Sequence, residues 1–486
     1  MMQASFRWAA MFAVLACAAG WVHADSWPMF GGGPSRNMVN LRVKNLPTSW
    51  CMEKGKQRNV KWIADVGTRC YSSPTVAGGC VLIGTQLQVQ QKRLAAMKCF
   101  AAADGRFLWQ HLHEIPAEEV LREAASVGIT ATPTVDGGRV YYGTPACEMI
   151  CLGLRDGKLR WRYDFRKELG VAPLFCGQSS PLIVGDRLFA ITGNGSDELT
   201  GKPSNPKAPS FVALHKDTGK LLWQSSLPGN GIIEGQWSNP AYAEVNGKGQ
   251  VIFPGGDGYL YGLEATDGRM IWKFDCNAAN FKEPVDSAER QYMVATPAIH
   301  DGKAHIGMGK YPDHPQPAQA GSFWCIDVGK KGDVSPKNGN LNPKAAENKD
   351  SALIWHYGGK VVPRPVKARR ALFGATISTA AVHDGIVYAA ELNGYLQALD
   401  AATGERLWMD DLRSEVWGSP LWADGKIFLP SEDGDVAIYA HGKTMNKIGG
   451  VEGEDGRTST PAAANGVFYY ASQTRLFAIE SPGQNR

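Results

Sequence analysis

Ala398-Leu399-Asp400-Ala401-Ala402-Thr403-Gly404-Glu405-Arg406-Leu407-Trp408 is the stretch that decides the fold. An apolar run ends in a polar turn, the turn ends in a glycine, and a tryptophan follows four residues later. The same Gly-x-x-x-Trp spacing recurs at Gly105 to Trp109, Gly157 to Trp161, Gly219 to Trp223 and Gly268 to Trp272. A fixed spacing repeated along a chain marks a structural repeat, because each unit must present the same contact to its neighbour.

Upstream of each ending lies a Ser/Thr-x-Pro start and a short apolar strand. The starts fall at Pro74, Pro133, Pro181, Pro240, Pro297, Pro420 and Pro461, with Ala380 in the place of the proline in the sixth unit, which makes eight units. Within a unit three turn signals separate short apolar runs. In the fourth they are Asn246-Gly247, Asp257-Gly258 and Asp267-Gly268. Asn-Gly and Asp-Gly accept the positive φ of tight hairpins, so three turns join four antiparallel strands. A unit of four strands repeated eight times is an all-β fold, an eight-bladed β-propeller of four-stranded antiparallel blades. Starts are 59, 48, 59, 57, 83, 40 and 41 residues apart, which places an insertion in the fifth unit. Its polar stretch from Lys330 to Asp350, rich in Gly, Asn and Pro, reads as a surface loop. The eighth unit lacks a fourth strand, and Val60-Lys61-Trp62-Ile63 is a strand without a unit. Pairing the two closes the ring with an N-terminal strand and removes the exposed sheet edges. The tryptophans are expected to pack between blades, where a large ring is buried at little entropic cost.

The first 24 residues order a basic Arg7, an uncharged run from Trp8 to Val22 and a small-residue end at Ala24, the pattern of a signal peptide. The expected organisation is therefore a signal peptide over 1–24, an N-terminal extension over 25–59 and a single propeller over 60–486. A periplasmic or secreted location follows. Lipidation of Cys17 is the one route to a membrane tether that the sequence offers. The 51 Lys and Arg residues stand against 47 Asp and Glu. That balance gives no ground for a nucleic-acid partner. Of ten cysteines none forms a Cys-x-x-Cys-His haem attachment. His300, His305, His314 and His383 are scattered over two units, and Arg364, Lys367, Arg369 and Arg370 form a basic stretch that reads as a solvated loop.

The repeat around Trp408 resembles the tryptophan-docking repeat of pyrroloquinoline quinone (PQQ)-dependent alcohol dehydrogenases. It equally resembles the non-catalytic propeller of the outer-membrane assembly lipoprotein of the β-barrel machinery. The resemblance covers nearly all of the chain after residue 24, and it specifies the fold more strongly than the function. Thr192-Gly193-Asn194-Gly195 is similar to the dehydrogenase segment whose asparagine ligates the calcium beside the quinone. An amide oxygen suits such a hard cation. The same resemblance implies cofactor contacts at Gly193, Asn194, Gly195 and Trp237, and places the catalytic carboxylate at Glu234, before Gly235-Gln236-Trp237. There it would take the proton of an alcohol while the quinone takes hydride. Three departures weigh against this. Gly256 stands where a Lys or Arg covers the quinone, no adjacent cysteine pair is present, and Glu148 lies only near the position of a calcium-binding Glu. The leading expectation is thus a binding or scaffold module whose partner, a protein or surface polymer, is met at the axial loops. A PQQ- and calcium-dependent alcohol or sugar dehydrogenase is the alternative.

Overall fold

In this computed structural model the described residues are 26–115, 127–174, 179–197, 199–277, 290–309, 321–359, 372–453, 455–456 and 459–482. The expected signal peptide, Cys17, His314 and the basic stretch from Arg364 to Arg370 lie outside them. Eight sheets of antiparallel strands follow one another along the chain, over residues 75–114, 134–164, 182–225, 241–275, 298–358, 381–411, 421–451 and 462–480. The eighth sheet is completed by Val60–Asp65, which pairs antiparallel with Arg475–Glu480 and sets Trp62 opposite Ala478. The ring closes as the sequence predicts, an N-terminal strand against the last one.

Two features of the repeat acquire a physical cause. The first is the Gly-x-x-x-Trp ending. Gly105, Gly157, Gly219, Gly268 and Gly404 all have φ between +61° and +74°, and a Cβ on any of them would lie 2.5–2.7 Å from the indole of Trp62, Trp109, Trp161, Trp223 or Trp355 respectively. Each glycine therefore receives the tryptophan of the preceding blade. The indole N–H then donates to the carbonyl three residues before that glycine, at Ala102, Leu154, Lys216, Ala265 and Ala401, over 2.8–3.1 Å. Opposite each tryptophan, on the third strand, the ladder places a small residue that leaves space for the ring. These are Cys99, Cys151, Ala213, Gly262, Cys325, Ala398 and Ala478. Three of the cysteines thus have a packing role.

The second feature is the start of each unit. The lateral contact is made at two positions: Ser72, Ser238 and Ser378, two residues before the proline or its replacement Ala380, donate their hydroxyls to Ala131 O, Ala295 O and Gly418 O of the next blade, and the residue immediately before it adds a second bond. Ser73, Thr132, Ser180 and Asn239 each donate their backbone N–H to the side chain at the same position of the next blade, and Thr379 and Ser419 do likewise. A girdle of hydrogen bonds thereby runs round the inner end of the blades.

The insertion in blade five is more than a surface loop. Gly332–Asp333 adds a parallel strand to the outer edge of blade four, beside Trp272 and Lys273.

The extension is part of the ring. Residues 27–40 travel round the bore in blade order, capping the inner edges of the innermost strands. Trp27 pairs with Val76, Pro28 O accepts from Val135, Pro34 O from Tyr242, Ser35 O from Ile299, and Met38 O from Trp422. Asn37 holds both backbone groups of Val382, and Asn40 donates to Ala463 O. Arg36, fully buried, donates to the carbonyls of Phe30, Ser180, Pro181 and Pro240. Between them these residues touch all eight blades. The chain then passes the first turn of blade seven, where Leu46 N–H donates to Asp424, and runs outward to Trp50.

Trp50 fills a gap in the repeat. Blade seven has Gly449 at the register position of the docking tryptophan, opposite Ile438. A Cβ there would meet Thr48 O at 2.1 Å. The ring of Trp50 instead lies 5.7 Å from Phe468 and 5.9 Å from Tyr470 of blade eight, with its N–H donated to the Tyr470 hydroxyl at 3.2 Å. The extension supplies the aromatic wedge that the seventh unit lacks.

Candidate functional site

The residues singled out by the dehydrogenase resemblance meet on the face of blades three and four that carries the connections between second and third strands. Thr192-Gly193-Asn194-Gly195 follows the second strand of blade three, Arg187–Ile191, and the segment 232–240 leads into blade four. The structure brings Asn194 and Trp237 together through an intermediary, Gln236. Asn194 is fully buried. Its Oδ1 accepts the N–H of Ala172 at 3.1 Å and its Nδ2 donates to Asn205 O at 2.9 Å. Gly193 O and the Gly195 N–H bond to Leu174 and Ala172. A Cβ on Gly195 would fall 2.5 Å from the Leu174 side chain. The Asn194 amide therefore pins the loop over 172–174 against blade three.

Gln236, which the sequence offered only as a landmark between Gly235 and Trp237, is the hub. Its Nε2 donates to Asn194 O at 2.7 Å and to Ser210 Oγ at 2.8 Å, and its Oε1 accepts from Gly256 N at 3.3 Å. Gly256 is required there, because a Cβ would press on Gln236 Cγ at 2.7 Å. The position where a cation was expected is thus occupied by the flank of an amide. Trp237 donates its N–H to Leu174 O at 3.0 Å and meets Tyr292 edge to face at 5.6 Å. Gly235 lets the ring fold back, since a Cβ would lie 2.1 Å from it. Glu234 is half-buried between Ile233, whose N–H is held by Gly256 O, and Gly235.

Beside this network a crevice lined by Thr144, Glu148, Ser179, Gly193 and Gln236 has a free volume of about 10 Å³, room for about one water. Glu148 is 3.7 Å from the Arg162 guanidinium, and burial raises its carboxyl above the ordinary range against that attraction. On the neighbouring turn Asp257 accepts from Tyr261 Oη at 2.6 Å and is likewise raised by burial. Among the described residues no three His, Cys, Asp or Glu side chains gather to hold a metal. PQQ carries several carboxylates, and burying them requires paired cations or a metal. At this network the Asn194 amide is already engaged and the crevice beside it is too narrow, so these residues do not form a cradle for the quinone and its calcium. His305 is buried in blade five and His383 packs on Trp422 at 4.1 Å.

Eight four-stranded blades, most of them joined to the next by a docked tryptophan, define a PQQ-type propeller. The chain belongs to the family described as outer membrane protein assembly factor BamB, whose profile matches residues 51–197, 207–309 and 337–459. It is similar to the quinohemoprotein alcohol dehydrogenase ADH IIB of Pseudomonas putida, 24% identical over 80% of this chain and 64% of that one. Tetrathionate hydrolase of Acidithiobacillus ferrooxidans is 22% identical over 73% of this chain and 72% of its own. BamB of Yersinia pestis is 27% identical over 48% of this chain and 62% of its own. The chain thus spans somewhat less than two thirds of ADH IIB and of that BamB. In fold it resembles the crystal structure of BamB from Moraxella catarrhalis, with a TM-score of 0.54 at 15% identity over 86% of this chain and 99% of that one. No helix among the described residues is long and apolar enough to cross a membrane.

Proposed function

We propose that the chain is a periplasmic or secreted binding and scaffold propeller, whose partner is a protein or surface polymer met at the axial loops. The observation that carries this reading is the occupied axis. The extension lines the bore along the edges of the innermost strands, and Asn194, Gln236 and Gly256 close on one another where the resemblance puts the cofactor. A partner then meets the propeller at the rim of loops between second and third strands. Leu199, 79% exposed, stands on that rim. Membership of a family described by an assembly factor supports the same reading.

The second reading is a PQQ- and calcium-dependent alcohol or sugar dehydrogenase, favoured by the similarity to ADH IIB over most of the chain. One experiment separates the two. Purified protein is soaked with PQQ and calcium, desalted, and examined by visible absorption and by dye reduction with ethanol or glucose. No retained quinone and no dye reduction are expected. Activity in the wild type that disappears in an Asn194→Ala, Glu234→Gln double variant would replace the scaffold with the enzyme. A photo-crosslinker at Leu199 should yield protein or polymer adducts in cells, and one at Met270, on an outer strand, should not. Adducts at Met270 alone would move the partner off the axial loops.

A further inference from the structure

The second and third strands of blade one, Cys80–Val89 and Lys92–Ala101, have 10 residues each, against 5 to 7 in the other blades. Their ladder runs unbroken from Cys80↔Ala101 to Val89↔Lys92, and residues 88–93 at its tip are exposed. A long two-stranded ribbon loses support as it leaves the sheet. Its base carries two thiols. Leu82 faces Cys99 across the ladder, and Cys80 lies two residues before Leu82, so both sulfurs are on the face turned to blade two. They share one apolar cluster with Trp109 and Leu154. They are diagonal neighbours on that face, near enough that each shifts the other's titration, Cys99 lowering Cys80 and Cys80 raising Cys99. Other described cysteines meet different partners. Cys70 donates to backbone carbonyls, Cys147 to Thr192 O, and Cys325 lies on His305.

We propose that Cys80 and Cys99 form a dithiol that oxidises to a disulfide, stapling the base of the blade-one hairpin, by exchange with a disulfide donor such as glutathione disulfide. The Cys80 thiolate attacks one sulfur of the donor, releases one donor thiolate and forms a mixed disulfide. Cys99 then loses its proton and attacks the Cys80 sulfur, and the second donor thiolate leaves. Two protein thiols are oxidised and one donor disulfide is reduced to two thiols, so electrons and protons balance.

The order of events follows from the surroundings. The neighbouring Cys99 thiol, helped by the Arg155 cation and opposed by burial, lowers Cys80 to about 7, so a large part is thiolate at neutral pH. Cys99 is pushed far up by the neighbouring Cys80 thiol, by burial and by the charge on Cys80. Two of those three causes vanish once Cys80 is in a mixed disulfide. Cys80 keeps 7% exposure beside the open turn at Gly79, whereas Cys99 has none. The donor therefore reaches Cys80 first.

The test incubates native protein with glutathione disulfide at pH 8, quenches in acid, alkylates under denaturing conditions and maps the peptides by mass. In the wild type the peptides containing Cys80 and Cys99 should be joined, with two fewer alkylated thiols. Cys99→Ser should accumulate glutathione on Cys80 with no internal link, and Cys80→Ser should show neither. Circular dichroism establishes that each variant is folded; should Cys80→Ser fail to fold, the wild type and Cys99→Ser decide alone. Full alkylation of both cysteines in oxidant-treated wild type overturns the proposal, as does a Cys99→Ser protein whose Cys80 stays unmodified.

Discussion

Trp272 donates its indole N–H to Oε1 of Gln250, 2.7 Å away in its own blade, and Gln250 Nε2 donates in turn to Val328 O of the next blade at 2.8 Å. Val328 stands where Ala265 and Ala401 stand in their blades, since its N–H is held by Gly302 O as theirs are by Gly249 O and Gly385 O. The acceptor is retained, but the insertion after it has displaced the glycine on which a tryptophan would dock. Gln250 spans the gap.

Replacing Gln250 by Ala should therefore destabilise the protein more than an ordinary surface change. It leaves the fully buried Trp272 N–H and the Val328 carbonyl without partners, at a cost of about 1–3 kcal/mol. Trp272→Ala should cost about 3–5 kcal/mol through the cavity it leaves. Denaturant midpoints measure both. A loss below about 1 kcal/mol for the tryptophan would place that ring outside the interface.

Trp50→Ala should weaken the joint between blades seven and eight by a similar amount, about 3–5 kcal/mol. Gly449→Trp should not rescue it, because Thr48 O lies 2.1 Å from the position of the new Cβ. Thermal unfolding of the single and double variants checks this. Recovery in the double variant would mean that the wedge does not depend on the extension.

Asn194→Ala should lower stability by about 1–3 kcal/mol, since it strips a partner from the Ala172 N–H and from Asn205 O. The loss should be the same with calcium or with a chelator. A calcium-dependent rise in melting temperature present in the wild type and absent in the variant would assign the amide to a metal instead.

Acid should destabilise the fold through two histidines. Burial, together with neighbouring positive groups, lowers His113 to about 4 and His305 to about 3, from an ordinary value of 6.5. The unfolded chain therefore binds protons that the fold does not, and stability falls as pH drops below about 6.5, down to the folded values. Each group accounts for on the order of 3–5 kcal/mol over that window. His113→Gln, which can still bond the Tyr142 hydroxyl now 2.8 Å from the ring, should flatten the profile between pH 6.5 and 4. An unchanged slope would mean that His113 is protonated in the fold.

The repeat itself was written in the chain. A glycine four residues before a tryptophan encodes both halves of a docking contact in five units, and together with the unit starts and turn signals it makes eight units, four strands each and closure by Val60–Asp65 legible from local spacing. Even the small residues opposite each ring could be read once the register was known. Three things were not local. The path of residues 27–40 round the bore depends on inner strand edges that exist only when the ring has closed, because the N–H and C=O groups it meets come from all eight blades. Trp50 carries no Gly-x-x-x-Trp signature, and its place was decided by a void that Gly449 leaves 399 residues away. At the axis, the sequence could set Asn194, Glu234 and Trp237 near one another by resemblance. Whether the amide of Asn194 faced a ligand or the backbone of Ala172 was a matter of which atoms the folded loops left unsatisfied, and only the tertiary structure brings Gln236 and Ala172 to it.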